Sequence, residues 1–191
     1  MIALLKDPNP AGLFIILTIM AFCAGLCTAV GDVRAQEGAS EQEGVEDAIW
    51  WLLRETPGRL RRERVAQKAI AAALVAAGDE YNVSPYLLLS IAYRESSLRV
   101  SATGKLGERG LMQIMSPLRH GCRLDDTPIS HARCGAKILR HCLNYCGDPW
   151  GAVAYYGSGR TCKPARESTW AKKVRSRMKL YHKLEARFGT H

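Results

Sequence analysis

A single carboxylate, Glu95, stands where a hydrophobic run stops. Tyr86-Leu87-Leu88-Leu89-Ser90-Ile91-Ala92-Tyr93 reads as an apolar helix, and Arg94-Glu95-Ser96-Ser97 ends it. A loop of small and polar residues follows and closes on Gly110-Leu111-Met112-Gln113-Ile114-Met115, which returns a glutamine towards Glu95. Burial at a helix end disfavours the charged form of a carboxylic acid. An acid kept neutral in that way can protonate a leaving-group oxygen. The plainer reading is a helix-end glutamate that is solvated or paired with Arg94 or Arg99. Taken alone, Glu95 favours that plainer reading.

The elements that would position this stretch are all helical. From about Arg59 to Tyr81 the chain is alanine-rich, and Val65, Ala69, Ala72, Ala73 and Ala76 recur at helical spacing. Asn82-Val83-Ser84-Pro85 stops that helix and starts the next, with Ser84 as N-cap and Pro85 at the first helical position. After the loop, Pro117 and Gly121 break the chain around His120. Ser130 is placed to cap a helix from His131 to Cys146, whose inner stripe would be Cys134, Ile138, Cys142 and Tyr145. Gly147 ends it, and Asp148-Pro149 opens a short helix, Trp150 to Tyr156, that stops at Gly157-Ser158-Gly159. A last helix starts near Ser168 with a stripe of Trp170, Val174, Met178, Tyr181, Leu184 and Phe188. Lys172, Lys173, Arg175, Arg177, Lys179, Lys183 and Arg187 fill much of its remaining surface, which reads as a solvated basic face on a packed helix. No segment alternates as a half-buried strand does. The class is all-α, mainly helical.

A chain of 191 residues with a formal charge of +9 holds one domain with a proper core and favours an anionic partner. Residues 1–35 read as a secretory signal peptide, cut after Ala35, or as a retained N-terminal membrane anchor. The apolar segment from Ala11 to Val30 is preceded by Lys6, and Val33-Arg34-Ala35 offers small residues for cleavage. Either way the remainder is exported, to the periplasm or cell envelope. Residues 36–58 read as a flexible linker, acidic and aperiodic from Gln36 to Asp47, followed by a short apolar helix at Ala48-Ile49-Trp50-Trp51-Leu52-Leu53. The folded domain is 59–191. Its cysteines, Cys122, Cys134, Cys142, Cys146 and Cys162, read as disulfide partners in an oxidising compartment. A zinc site with His131 or His141 fits no trusted spacing. Five is odd, so one thiol is free or pairs with another chain. Cys142 and Cys146, one turn apart, face similarly and are better placed to reach Cys162 or Cys134 than each other.

Three segments then stand in order: Glu95-Ser96-Ser97, Gly110-Leu111-Met112-Gln113, and Ala154-Tyr155-Tyr156-Gly157. Over about Val65 to Gly159 the chain resembles the catalytic domain of the lytic transglycosylases related to the soluble lytic transglycosylase. That family, within the lysozyme-like superfamily, carries Glu-Ser-Ser, then Gly-Leu-Met-Gln at this same separation, then Ala-Tyr-Asn-x-Gly. Gly107 also falls on a family glycine. The resemblance implies a lysozyme-like fold with a loop-rich active-site cleft, and peptidoglycan glycan strands as substrate. It implies Glu95 as the catalytic group, with no metal and no cofactor. It places Gln113 and Met112 along the sugar groove, Tyr155 with its hydroxyl towards Glu95, and Ser97 and Tyr156 among the substrate-contacting positions. Ser96 and Ser97 would buttress the loop. Without the family, Tyr155 reads as a core tyrosine on a small-residue helix.

Ordinary glycosidases need two carboxylates flanking the bond. Here Asp125 and Asp126 sit on a polar turn and Glu108 in the loop, so a single acid fits a reaction in which the sugar supplies the nucleophile. By resemblance, Glu95 protonates the oxygen between N-acetylmuramic acid and N-acetylglucosamine, then takes the proton of the muramoyl C6 hydroxyl as a 1,6-anhydro end forms. The alternatives are a hydrolytic muramidase of the same fold and a catalytically silent wall-binding protein. Export disfavours nucleic acid as the partner. Three departures from the family stand out: Tyr156 where asparagine is usual, Gly104 at a loop position often held by serine, and Val100 in place of a proline.

Overall fold

Proline starts four of the helical elements, because a ring with fixed φ and no N–H costs nothing at a helix's first position. The computed structural model describes residues 36–54, 64–165 and 168–189, and among these there is no named strand. Helix α1 covers 36–54 and α2 is Arg64–Tyr81. Helix α3, Pro85–Ser96, is followed by a long loop and a 3-10 turn, Pro117–His120. Then come α4, Pro128–Cys146, α5, Pro149–Ser158, and α6, Thr169–Phe188. Pro85, Pro117, Pro128 and Pro149 are the starting prolines. The signal-or-anchor stretch 1–35 lies outside the described residues. None of the helices that are described is long and apolar enough to cross a membrane.

The alanine-rich face of α2 has a consequence in packing. Ala71, Ala73 and Ala77 are buried with Ile70 and Leu74, and the small side chains let α4 approach through Ala132, Ala136 and Leu139. Helix α3 is buried almost all round, with Leu88, Leu89, Ile91 and Ala92 fully inaccessible. It packs against α2 on one side and α6 on another. A helix apolar on every face belongs in the centre of a domain. Its last turn therefore delivers Glu95 from the core outward.

Two sequence expectations are corrected here. Residues 36–47, expected as linker, are helical and continuous with the apolar patch at 48–53. Val45, Ala48, Ile49, Leu52 and Leu53 are buried, so burial of one apolar face overrides an acidic composition that reads as linker. The Tyr86 hydroxyl donates to Phe188 O at 2.6 Å, and Trp51 lies 6.3 Å from the Phe188 ring, so α1, α3 and the end of α6 meet. The second correction concerns α4, whose cap position is Thr127 rather than Ser130, because Pro128 claims the first helical position. Ser130 Oγ instead accepts from Asp125 N at 3.2 Å. Ser84 stands at the cap of α3 as expected, but its side chain makes no capping bond.

Among the described residues the cysteines divide as two disulfides and one thiol. Cys122 is bonded to Cys134 and Cys146 to Cys162, which leaves Cys142 buried and free. Each bridge closes a loop of 12 or 16 residues, a constraint worth about 3 kcal/mol on the chain-entropy account. The first ties the loop after the 3-10 turn to α4; the second ties the end of α4 to the segment after α5. Tyr145, placed on the inner stripe by spacing, is 66 % exposed, because the last turn of α4 extends past the core.

The loop between α3 and α4 is held by its own backbone and by one histidine. Arg109 and Ile114 exchange both backbone bonds, and Gly110 N donates to Ala102 O at 2.7 Å. His131, buried in the first turns of α4, accepts from Leu111 N on Nδ1 at 3.2 Å and donates from Nε2 to Asp125 O at 2.6 Å. Those two partners fix the Nε2–H tautomer. Gly110 has φ +74, and a Cβ there would fall 1.6 Å from the imidazole Nδ1. Gly107, with φ +88, has open space around it.

Replacing Gly110 by alanine therefore meets both strain and a clash, with an expected cost of more than about 2 kcal/mol. Gly107→Ala meets strain alone and should cost about 1 kcal/mol. Urea denaturation of the two variants checks the difference. For Cys142, burial pushes the thiol up to about 11. Iodoacetamide should leave it unmodified in the native protein and alkylate it in denaturant, as read by mass spectrometry of its peptide.

Candidate functional site

Glu95 lies in the last turn of α3, and its side chain is 20 % exposed. The helix ends at Ser97, in the left-handed region with φ 53, and Leu98 follows with φ 64. Ser96 ties that end to the loop. Its hydroxyl donates to Leu111 O at 2.8 Å and receives Arg99 N at 3.1 Å. The expectation that Ser96 buttresses the loop holds in this geometry, whereas Ser97 is exposed beside Glu95.

Apolar burial was expected around the Glu95 carboxyl, and a guanidinium stands there instead. Arg177 Nη2 on α6 donates to Glu95 Oε1 at 2.5 Å. Neither Arg94 nor Arg99, the neighbours in sequence, takes that place. Arg177 is 7 % exposed, while Lys172, Lys173, Lys179 and Lys183 on the same helix are solvated. Its guanidinium also lies 5.4 Å from the Trp170 ring centre, a distance at which the ring face attracts a cation. Trp170 is itself fixed by a bond from Nε1 to Ala154 O of α5. Arg177 was missed because it counts as one more charge on a basic helix. A signal was present all the same: 170, 174, 177, 181, 184 and 188 form an unbroken apolar stripe apart from this arginine.

The Gly-Leu-Met-Gln segment turns out to work mostly inward. Met112 was expected to line a sugar groove, but it is fully buried and packs on Gly135, where a Cβ would come within 2.7 Å of its Cγ. The missing side chain at Gly135 is what makes room for it. Gln113 has φ 48, and its Nε2 donates to Gly110 O at 3.0 Å and Ala102 O at 3.3 Å. Both amide protons are therefore spent on the loop, and Oε1 is the polar atom left to act as acceptor. Gly104 has a physical reason. A Cβ there would lie 2.2 Å from Glu108 Oε2 and 2.9 Å from Gln113 Oε1, so the Glu108 carboxylate occupies the space a serine would need.

The two tyrosines of α5 exchange the parts expected of them. Tyr155 was expected to reach Glu95; its ring instead stacks at 4.9 Å on Tyr145 of α4. Tyr156 points inward and donates from its hydroxyl to Met112 O at 3.0 Å. Burial pushes its phenol well above the ordinary range, with the negative charge of Glu95 adding to the effect and Arg177 opposing it. The charge of Glu95 is thus felt at the Tyr156 hydroxyl. A helix turns about 100° per residue, so adjacent tyrosines cannot both face the same site.

Removing the Tyr156 hydroxyl strands a buried carbonyl. Tyr156→Phe should cost about 1–3 kcal/mol in urea denaturation through the unpaired Met112 O.

The profile of the family described as Transglycosylase SLT domain matches residues 73–179, more than half of the chain. The match begins in α2 and ends in α6, so it contains Glu95, the loop, α4, α5 and Arg177. No curated protein matches the chain, and no solved structure does. Mainly helical in its described residues, with Glu95 at the end of the central helix, the chain belongs to the transglycosylase SLT domain family, a lysozyme-like fold.

Proposed function

We propose that this protein is a peptidoglycan lytic transglycosylase in which Glu95 alone serves as acid and then as base. Membership of the family supports action on peptidoglycan in general terms. The observation that supports the finer reading is one carboxylate, paired with Arg177, at the helix end beside a loop that Ser96 and Tyr156 hold in place. Ser96 bonds Leu111 O, Tyr156 bonds Met112 O, and Arg177 bonds Glu95. The other carboxylates nearby in sequence are committed elsewhere. Asp125 Oδ1 receives Thr127 N at 2.8 Å, and the Thr127 hydroxyl holds its carboxyl down to about 2. Glu108 Oε2 receives Leu106 N at 2.9 Å.

With one acid, the substrate provides the nucleophile. Glu95 gives its proton to the glycosidic oxygen between N-acetylmuramic acid and N-acetylglucosamine, and the C1–O bond breaks with its electron pair going to that oxygen. The muramoyl C6 hydroxyl oxygen then bonds to C1, and its proton returns to Glu95. The product is a 1,6-anhydro end, and the enzyme is restored without water being consumed. Ser97, Gln113 through Oε1, and Tyr155 make the contacts with the glycan, while Met112 and Tyr156 hold the loop that presents them. The two disulfides are consistent with an exported protein, and we place it in the periplasm or cell envelope.

Digestion of purified peptidoglycan with analysis of the products by mass tests this reading. Anhydro ends, one water lighter than reducing ends, are the expected outcome; hydrated ends would make the protein a hydrolytic muramidase. Glu95→Gln should lower the rate by roughly 10³-fold, as loss of a positioned acid does. Clearing equal to wild type by that variant would remove Glu95 from the reaction.

A further inference from the structure

We propose that Arg177 is a positioning residue for the reaction: it anchors Glu95 by Oε1, so that Oε2 is the oxygen that donates and retakes the proton. This rests on Glu95 being the acid and base. The geometry is end-on, one guanidinium nitrogen, Nη2, to one carboxyl oxygen, Oε1. Oε2 takes no part in that pair.

The consequence follows from hydrogen-bond inventory. A carboxylate accepts on either oxygen; a carboxylic acid protonated on Oε2 still accepts on its carbonyl oxygen, Oε1. The bond from Arg177 therefore survives both states of Glu95. When the proton leaves Oε2 for the glycosidic oxygen, the negative charge that develops is already facing a fixed cation. When the C6 hydroxyl gives its proton back, Oε2 receives it and the Oε1 bond is again unchanged. The carboxyl group need not rotate between the two half-reactions.

Arg177 is itself immobilised. It is 7 % exposed, its guanidinium lies over Trp170, and Trp170 is bonded to Ala154 O in α5. A surface lysine or arginine would lose much side-chain freedom in holding such a pose; this one has little left to lose. A buried charge without a partner is costly, so a basic residue on the inner stripe of α6 is explained by Glu95 and by little else there. Tyr155, which the family resemblance implies for orienting Glu95, lies against Tyr145.

The test is steady-state turnover of peptidoglycan by the full chain carrying Arg177→Ala, Arg177→Gln or Glu95→Gln. Arg177→Ala should lower kcat by roughly 10²-fold, the scale for losing one fixed donor at a developing charge, with KM within about twofold of wild type. Added ethylguanidinium should restore part of kcat, which a purely structural loss would not allow. The double variant Glu95→Gln/Arg177→Ala should be no slower than Glu95→Gln, since Arg177 acts through that carboxyl group. If Arg177→Ala does not fold, Arg177→Gln, which keeps a planar N–H donor without the charge, should show a fall of roughly tenfold. A folded variant with unchanged kcat overturns the proposal while leaving Glu95 as the acid. A rise in kcat also overturns it and identifies the pair as a lock that substrate must break. Full activity in Glu95→Gln, by contrast, would sink the reading of Glu95 and this one with it.

Discussion

A guanidinium taken out of water needs a counter-charge, and in this fold the counter-charge is Glu95. The cost of burying each ion is several kcal/mol, and it is offset only where the geometry is good and further contacts assist. Arg177 has both, with one short bond to Glu95 and the Trp170 ring beneath it. Because the pair joins α3 to α6, it does more than neutralise a charge. It fixes how the most buried helix meets the C-terminal helix, and so fixes where the last turn of α3 opens to solvent. Lys172, Lys173 and Lys179, elsewhere on α6, stay exposed to solvent.

The loop between α3 and α4 obeys a second requirement, that buried backbone groups find partners. Leu111 N goes to His131, Leu111 O to Ser96, and Met112 O to Tyr156. These three side chains come from α4, α3 and α5. Stitched to three helices, the loop keeps its shape with only the short 3-10 turn and isolated bridges of its own, and the Cys122–Cys134 bridge ties its far end to α4.

Much of this was legible in the sequence. The all-α class, the prolines that start α3 and α5, and the glycines that end α4 and α5 follow from local rules that tertiary packing did not override. The helix-end position of Glu95 and its connection to the Gly-Leu-Met-Gln loop were legible as well. What failed was direction. Met112 was read as facing a substrate, yet it fills the hollow beside Gly135, while Gln113 spends its donors on Gly110 O and Ala102 O and keeps only Oε1 for a partner. Spacing says which residues share a face; it does not say which face of an irregular loop looks inward. The helix over 36–47 failed for a related reason, because acidic composition was weighed and the burial of Val45 against the domain was invisible. Arg177 shows the converse: charge hid a residue that the heptad spacing had placed inside.

Two of the departures from the family pattern have a local physical reason. Gly104 leaves room for the Glu108 carboxylate, which accepts from Leu106 N. Tyr156, larger than the usual asparagine, reaches across to Met112 O and carries a phenol that burial and Glu95 together keep protonated. Tyr155 lies against Tyr145, and the side chain that bonds Glu95 is Arg177 of α6. Such an arginine donates to the same carboxyl oxygen whether or not the group carries its proton, and unlike a phenol it also brings a fixed positive charge.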